Sequence, residues 1–383
     1  MNDEFSDIRP YNDDELPAIY DELILDEGFK NAVTTVYKDI PYENVCAMMK
    51  SCKSSYEFQK KLVYPLLVNL VNAASDGFHS DFSNTSDESK AYTFVSNHRD
   101  IVLDSALLDY ALVKEGKNTV EIAIGDNLLI YPWIKKLVRV NKSFIVQRSL
   151  TMREMLIASA KMSRYMHYAI NDKKSPIWIA QREGRAKDSN DTTQESVLKM
   201  MALGGEGSVK ERLASLNIVP LTISYEYDPC DYLKAKEFQL KRDIEGFKKS
   251  KADDLINMQT GIFGYKGRID YKADKPVNEW INQLPDDMPK ADFFKEVCLH
   301  MDKVIHSNYA LYPGNYVAAD LLEGNDSRSD KYTEQEKEKF LKYLDGQAKK
   351  IDLENPDHEF LRKKMLEMYA NPVYNNEKAL SAS

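Results

Sequence analysis

The sequence lacks several features that would assign it to particular classes of protein. No apolar run approaches the roughly 20 residues of a membrane-spanning helix, and the longest runs, LVYPLLVNLV and NLLIYPWI, are too short. The N-terminal stretch MNDEFSDIRPYNDDELP is acidic and has no apolar core, unlike a secretory signal. There are 52 lysines and arginines against 61 aspartates and glutamates, and the net charge of −9 argues against a nucleic-acid partner.

Cysteine and histidine are also scarce. The four cysteines have neither C-x-x-C spacing nor the density of a secreted disulfide scaffold, so we predict reduced thiols and a cytoplasmic protein. The six histidines show no metal-ligand spacing. The sequence therefore predicts no metal site and no redox cofactor.

What the chain does have is an alternation of strand-like and helical patterns in its middle part. Short apolar stretches suited to buried strands lie at 92–95, 119–124, 143–147, 176–181 and 218–225. Helical patterns lie between them, at 101–114, 127–139, 151–172 and 193–203. Capping-box pairs, Thr151 with Glu154 and Thr192 with Glu195, indicate where two of these helices begin. The alternation is typical of an α/β fold with a mostly parallel or mixed sheet flanked by helices.

Helical patterns extend this fold at both ends. Residues 13–75 are predicted to be helical, with Pro65 expected to kink or shorten one helix, whereas the Ser/Asp-rich segment 75–90 is typical of a surface loop or hairpin. After a β-like stretch at 266–272, helices dominate; Thr333 with Glu336 caps one, and the tail after Pro372 is expected to fray. We therefore divide the chain into an N-terminal helical region (1–85), an α/β domain (86–285) and a C-terminal helical region packing on it (286–383).

The strand at 92–95 leads into residues able to move a proton. In SNHRDIVLD, His98 precedes a helix, Asp100 is a plausible N-cap, and Asp104 falls one turn inside an otherwise apolar helix. A histidine takes a proton from a hydroxyl near neutral pH when a carboxylate holds its other nitrogen. The pair therefore suggests a general base, with a capping or loop histidine as the alternative.

The other strand ends gather basic residues. Arg148 follows the strand at 143–147 and offers a fixed cation for a phosphate. The strand at 176–181 runs into Arg182, Glu183, Gly184 and Arg185, where a glycine permits a tight turn and flanking arginines can clamp a phosphate. A surface arginine and a charged turn are the alternatives. Pro220 lies within an apolar strand, as at an edge or a bulge beside a site.

Taken in order, these four strand ends resemble the four sequence blocks of the glycerolipid acyltransferase family. SNHRDIVLDSALL, SFIVQR, QREGRAKD and VPLTISYEYDPCDYLKAKE are most similar to the glycerol-3-phosphate acyltransferase branch, and the resemblance spans roughly residues 90 to 325. One departure concerns the His/Asp block. The family usually has four residues between these side chains, whereas five separate His98 from Asp104, so Asp100 is an alternative partner; we expect Asp104, because it is embedded in apolar helix.

The resemblance implies an O-acyltransferase that moves a fatty acyl chain from acyl-CoA or acyl carrier protein (acyl-ACP) to a hydroxyl of glycerol 3-phosphate in phospholipid biosynthesis. His98 would be the general base and Asp104 would orient it. The residues expected to bind the acceptor phosphate are Arg148, Arg182, Glu183, Gly184 and Arg185. Supporting positions are Asn97, Asp100, Lys142 and Pro220. The acyl thioester is a co-substrate, so this chemistry implies no cofactor.

Three questions stay open at this stage. Lysophosphatidate or an amino-acid lipid is an alternative acceptor, and a lipid-binding or scaffold protein that lost its His/Asp geometry through the extra residue is an alternative of another class. The basic stretch LKAKEFQLKRDIEGFKKSK (233–251) either docks acyl carrier protein or anionic lipid headgroups, or is a solvated helix face. We expect a cytoplasmic protein, peripheral on the inner face of the cytoplasmic membrane.

Overall fold

A mixed β-sheet forms the centre of the protein. The computed structural model describes residues 4–148 and 151–381, and within them the sheet has seven strands. These are β1 (Gly77–Asp81), β2 (Thr93–Ser96), β3 (Glu121–Gly125), β4 (Ser143–Val146), β5 (Ile177–Ala180), β6 (Ile218–Tyr225) and β7 (Arg268–Ala273). Their order is β1-β7-β6-β2-β5-β3-β4, with β6 and β7 antiparallel and the other neighbours parallel. The predicted α/β class with a mixed sheet is confirmed.

Helices surround the sheet. Those before β2 are α1 (Leu16–Ile24), α2 (Glu27–Val36), α3 (Tyr42–Lys50), α4 (Ser55–Phe58) and α5 (Tyr64–Ala74). Those between β2 and β7 are α6 (Leu103–Lys114), α7 (Pro132–Val140), α8 (Met152–Asn171), α9 (Glu195–Met201), α10 (Val209–Ala214), α11 (Asp231–Asp243) and α12 (Lys251–Phe263). Those after β7 are α13 (Asn278–Gln283), α14 (Lys290–Ser307), α15 (Pro313–Glu323), α16 (Glu334–Ala348) and α17 (His358–Ser381).

The two faces of the sheet carry separate apolar cores because side chains alternate along a strand. On β2, Phe94 faces the core that includes α5 and α6, whereas Val95 faces the core that includes α8 and α14. On β5, Trp178 and its neighbour Ile177 divide in the same way. Both faces are therefore covered, as a central parallel sheet requires.

The helical ends build cores of their own. Residues of α1, α2 and α3 pack together with α4 and with α7, while α15, α16 and α17 pack with α11. Two sequence expectations fail at these ends. The segment 75–90 is not only loop, because β1 lies in it and pairs in parallel with β7. Helix α17 continues through a buried Pro372 to Ser381, so the expected fraying after Pro372 is wrong.

Local signals fix several helix starts. Thr151 and Glu154 form the predicted capping box of α8, and Thr333 with Glu336 does the same for α16. The predicted pair of Thr192 and Glu195 is wrong, since Gln194 occupies the N-cap of α9. Pro65 lies in the first turn of α5, directly after a π-helical turn (Gln59–Val63). The π-helical turn interrupts the series of helical backbone hydrogen bonds at the point where Pro65 has no N–H group to donate.

Two observations bear on the surroundings of the protein. All four cysteines are free thiols. In the residues that the structure describes, no helix combines the length and the apolar character that crossing a bilayer demands.

Candidate active site

His98 lies just after β2, where the chain leaves the carboxyl edge of the sheet. Its Nδ1 is 2.8 Å from Oδ2 of Asp104, in the first turn of α6. The Asp104 side chain is 1% exposed and that of His98 is 14% exposed. A carboxylate on Nδ1 favours the tautomer with its proton there, so Nε2 is the nitrogen placed to accept a proton from a ligand.

The Asp104 carboxylate is held in place from several directions. Besides His98, its Oδ2 accepts from the backbone N–H of Arg99 at 2.7 Å. Its Oδ1 accepts from the backbone N–H of Asp100 at 3.0 Å and from the Tyr225 hydroxyl at 3.3 Å. The loop after β2 thus wraps around the carboxylate. This non-helical loop accommodates the extra residue and keeps Asp104 within reach of His98.

Asp100 has a different task. Its Oδ1 accepts from the backbone N–H groups of Val102 and Leu103, at 2.9 and 2.8 Å, at the start of α6. Burial and, secondarily, the nearby Asp104 raise the pKa of its carboxyl group. The N-cap of α6 is Val102, so the predicted N-cap at Asp100 is wrong, but the Asp100 carboxylate still binds two backbone N–H groups at the helix start. The structure brings Asp104, and not Asp100, to His98.

A buried polar network supports the loop from behind. Arg99 Nη2 lies 2.8 Å from Oδ2 of Asp191, and the same oxygen accepts from the Tyr309 hydroxyl at 2.6 Å and from Asn97 Nδ2 at 3.2 Å. The Asn97 side chain also donates from Nδ2 to the backbone oxygen of Ile223 in β6 at 2.9 Å and accepts at Oδ1 from the Ile223 N–H at 2.8 Å. The predicted supporting residue Asn97 thus ties the His98 loop to the sheet. The sequence did not single out Arg99 or Asp191, because an ion pair between distant loops leaves no local pattern.

Arg185 lies on the side of the site facing α12. The residue is 9% exposed, and its Nη2 donates to Oδ1 of Asn257 at 2.9 Å. Among the described residues, its buried Nη1 has no hydrogen-bond partner. A buried guanidinium N–H group without an acceptor lowers the stability of the protein unless a bound ligand accepts its hydrogen bond. Arg185 is therefore a strong candidate for binding an anion.

The other predicted phosphate ligands lie towards the opposite side. Arg148 follows β4, three strand spacings or about 14 Å across the sheet from β2. Its Nη1 is 3.3 Å from Oε1 of Glu183. Gly184 is exposed and has a φ of +68°, which a glycine adopts without strain. The buried Nε of Arg182 has no partner among the described residues. Arg148 and Arg185 thus bond to different groups.

Two predicted supporting residues lie away from this edge. Lys142 precedes β4 at its amino end, where its Nζ donates to the backbone oxygen of Thr119 at 2.5 Å, so the prediction for Lys142 is wrong. Pro220 pairs with Val95 in β6, an interior strand, so the predicted edge or bulge is also wrong. Proline is tolerated because pairing with β7 begins only at Leu221.

Comparison with known protein families gives a match for the central part of the chain. Residues 79–224 match the family model described as Acyltransferase, and they contain His98, Asp104 and the loops after β4 and β5. This segment belongs to the acyltransferase family. The match confirms the family resemblance that the sequence blocks indicated.

The whole chain was also compared with individual proteins. Among solved structures it is similar to the 1-acyl-sn-glycerophosphate (LPA) acyltransferase PlsC from Thermotoga maritima, with 12% sequence identity and a TM-score of 0.36. That similarity covers 77% of this chain and 96% of the other. No curated protein gives a significant match.

A cluster of lysines lies beside Arg185 in this acyltransferase. Lys187, Lys241 and Lys249 all contact the buried carboxylate of Glu237, the last two at 3.0 and 2.8 Å. Burial, and then nearby cations, lower the pKa of Lys187 to about 6 and that of Lys249 to about 8. Three lysines around one carboxylate favour an incoming anion. In the described residues, no three His, Cys, Asp or Glu side chains converge as metal ligands do.

The roles of the two aspartates can be separated by amide substitutions. Asp104→Asn is expected to lower kcat by about 50-fold, less than the loss of His98 itself, because an amide does not hold the productive His98 tautomer. Asp100→Asn is expected to change kcat by less than about 10-fold, since the amide oxygen of asparagine can also accept from the backbone N–H groups of Val102 and Leu103. Rates of acyl transfer, with circular dichroism to verify folding, check both. The reverse order of effects would assign Asp100 as the partner of His98.

Proposed function

We propose that this acyltransferase moves a fatty acyl chain from acyl-CoA or acyl-ACP to a hydroxyl of glycerol 3-phosphate, in phospholipid biosynthesis. The 2.8 Å contact between His98 Nδ1 and the buried Asp104 carboxylate is the observation that supports it most. A histidine held in this way at a sheet edge is suited to activate a hydroxyl. The family assignment of the same residues points to an acyl group as the one transferred.

The reaction follows from the placement of this pair. Nε2 of His98 takes the proton of the acceptor hydroxyl while the oxygen forms a bond to the thioester carbonyl carbon. Asp104 stabilises the resulting imidazolium through Nδ1. The tetrahedral intermediate then breaks its carbon–sulfur bond, and the departing thiolate receives the proton from His98. The products are an ester and a free thiol, so the reaction consumes only the acyl thioester and the acceptor.

Arg185 is proposed to bind the acceptor phosphate. Its buried Nη1 offers an unused donor, and charge-assisted bonds from arginine to phosphate are strong and directional. Lys249, whose pKa is about 8, adds positive charge beside it, and a bound phosphate would favour the charged form of Lys187. Arg148 and Arg182, with the turn at Glu183 and Gly184, are proposed to form the outer part of the same acceptor region.

The scaffold alternative depends on loss of the His/Asp geometry through the extra residue. The hydrogen bond between His98 and Asp104 is present, so the extra residue gives no reason to expect an inactive protein. An enzyme is therefore the function that the site supports best.

We also propose a cytoplasmic enzyme that works at the inner face of the cytoplasmic membrane, with the acyl thioester as its only co-substrate. Long acyl chains and their lipid products partition into bilayers. A membrane position would therefore let the product leave without crossing water.

An acceptor panel tests the function. Purified protein is incubated with a labelled long-chain acyl thioester and glycerol 3-phosphate, lysophosphatidate or an amino-acid lipid. We expect release of thiol that requires an acceptor and is fastest with glycerol 3-phosphate. Faster transfer to another member of the panel would replace glycerol 3-phosphate as the acceptor. Thiol release that no acceptor accelerates would instead support the scaffold.

A further inference from the structure

We propose that the carboxyl edge of the sheet docks on an anionic lipid bilayer through an apolar rim. In the described part of the chain, this rim holds nine of the 18 large apolar side chains that are exposed. It consists of Ile130 and Tyr131 after β3, Met152, Met155, Leu156 and Ile157 at the start of α8, and Leu255, Ile256 and Phe263 on α12.

Helix α12 joins the rim to the catalytic loop. Its inner side carries Asn257, which bonds to Arg185, and Gly261. A Cβ atom at Gly261 would lie 2.0 Å from Oδ2 of Asp100, so a larger residue there would collide with the loop that holds His98. The helix thus lies directly against the site.

The outer side of α12 is apolar. Leu255, Ile256 and Phe263 are 50%, 48% and 70% exposed. A surface helix of a globular protein normally turns its apolar residues towards the core. On α12, Ile262 packs against the core, but Leu255, Ile256 and Phe263 form an additional apolar surface on the solvent side, of the kind that a partner covers.

The start of α8 adds a second apolar surface at the same edge. Met152 is 84% exposed, and Leu156 and Ile157 are 65% and 61% exposed. Because β2, β3 and β4 run parallel, the segments that follow them leave the sheet at one edge. The two surfaces therefore lie at the same edge of the sheet as His98.

Charge favours a membrane as the partner. The segment 241–251, which leads into α12, has five basic and two acidic residues in a chain of net charge −9, and three of the basic residues, Lys241, Arg242 and Lys249, also form ion pairs within the protein. Apolar residues bordered by basic ones suit a bilayer that contains anionic headgroups. An acyl carrier protein is the alternative partner, but a rim this apolar is better matched by acyl chains than by a charged protein surface. The inference extends the proposed function, since the rim would place His98 where acyl chains are concentrated.

Vesicle binding tests the rim without requiring catalysis. Full-length protein is sedimented with vesicles of phosphatidylcholine and phosphatidylglycerol. Two triple variants are compared, Leu255→Gln/Ile256→Gln/Phe263→Gln on α12 and Met152→Gln/Leu156→Gln/Ile157→Gln on α8. The matched control replaces exposed leucines on other elements, Leu25→Gln/Leu203→Gln/Leu299→Gln.

We expect each rim variant to lose about 100-fold in vesicle affinity, as removing three half-exposed large apolar side chains implies. The control should bind like the wild type, and added salt should weaken binding only when phosphatidylglycerol is present. Equal binding by all variants, or capture of acyl carrier protein in place of vesicles, would overturn the proposal. His98→Ala should still bind vesicles, because His98 is not part of the rim. Vesicle binding therefore tests the rim independently of the proposed catalytic function.

Discussion

His98→Ala is expected to lower kcat by about 10³- to 10⁴-fold, equivalent to about 4–5.5 kcal/mol of activation free energy. The change removes the group that takes the hydroxyl proton and later returns a proton to the thiolate. The acceptor KM should change little, because the phosphate ligands stay in place. Initial rates of thiol release at varied glycerol 3-phosphate measure both quantities.

The chain offers a matched control in a second histidine–aspartate pair. His79 Nδ1 lies 2.6 Å from Oδ2 of Asp270, but the His79 side chain is 72% exposed and lies on β1, at the margin of the sheet. His79→Ala should leave kcat within about twofold. Losses of equal size in the two variants would remove His98 from the mechanism.

Arg185→Ala is expected to lower kcat/KM for glycerol 3-phosphate by about 100-fold, or about 3 kcal/mol, because a buried charged hydrogen bond to phosphate is lost. The slow reaction with glycerol, which has no phosphate, should change by less than about threefold. The ratio of the two acceptors therefore isolates the contribution of the phosphate contact.

Arg164→Ala is the control for the loss of an arginine. Arg164 is on α8, is about half exposed and pairs with Glu4 at the surface. Its removal should not alter the preference between the acceptors. If Arg185→Ala lowers the rates with glycerol 3-phosphate and glycerol by the same factor, Arg185 supports the fold of the site and does not bind phosphate.

Local sequence signals predicted the centre of the fold well. Strands β2 to β6 lie where short apolar stretches end in polar residues, and the capping box at Thr151 sets the start of α8. The spatial pairing of His98 with Asp104 agrees with the argument that an acid within an apolar helix needs a partner. These features depend on neighbours within a few residues, which a sequence pattern records.

Features that depend on distant segments were missed. β1 is polar and partly exposed, and its partner β7 lies far along the chain. Asn257 gives no signal, because its role arises only when α12 packs beside Arg185. The error at Lys142 has a different origin, because its position before the predicted strand 143–147 already implied the amino end of β4, away from the site.

The pairing of β1 with β7 has a consequence for synthesis of the chain. A ribosome adding about 5–20 residues per second needs roughly 10–40 s to proceed from Asp81 to Arg268. During this interval β1 cannot pair with β7, which is not yet synthesised, while β2 to β6 emerge and become able to pair with one another. The nascent sheet can thus grow outward from its middle, and the arrival of β7 late in translation docks the oldest strand last.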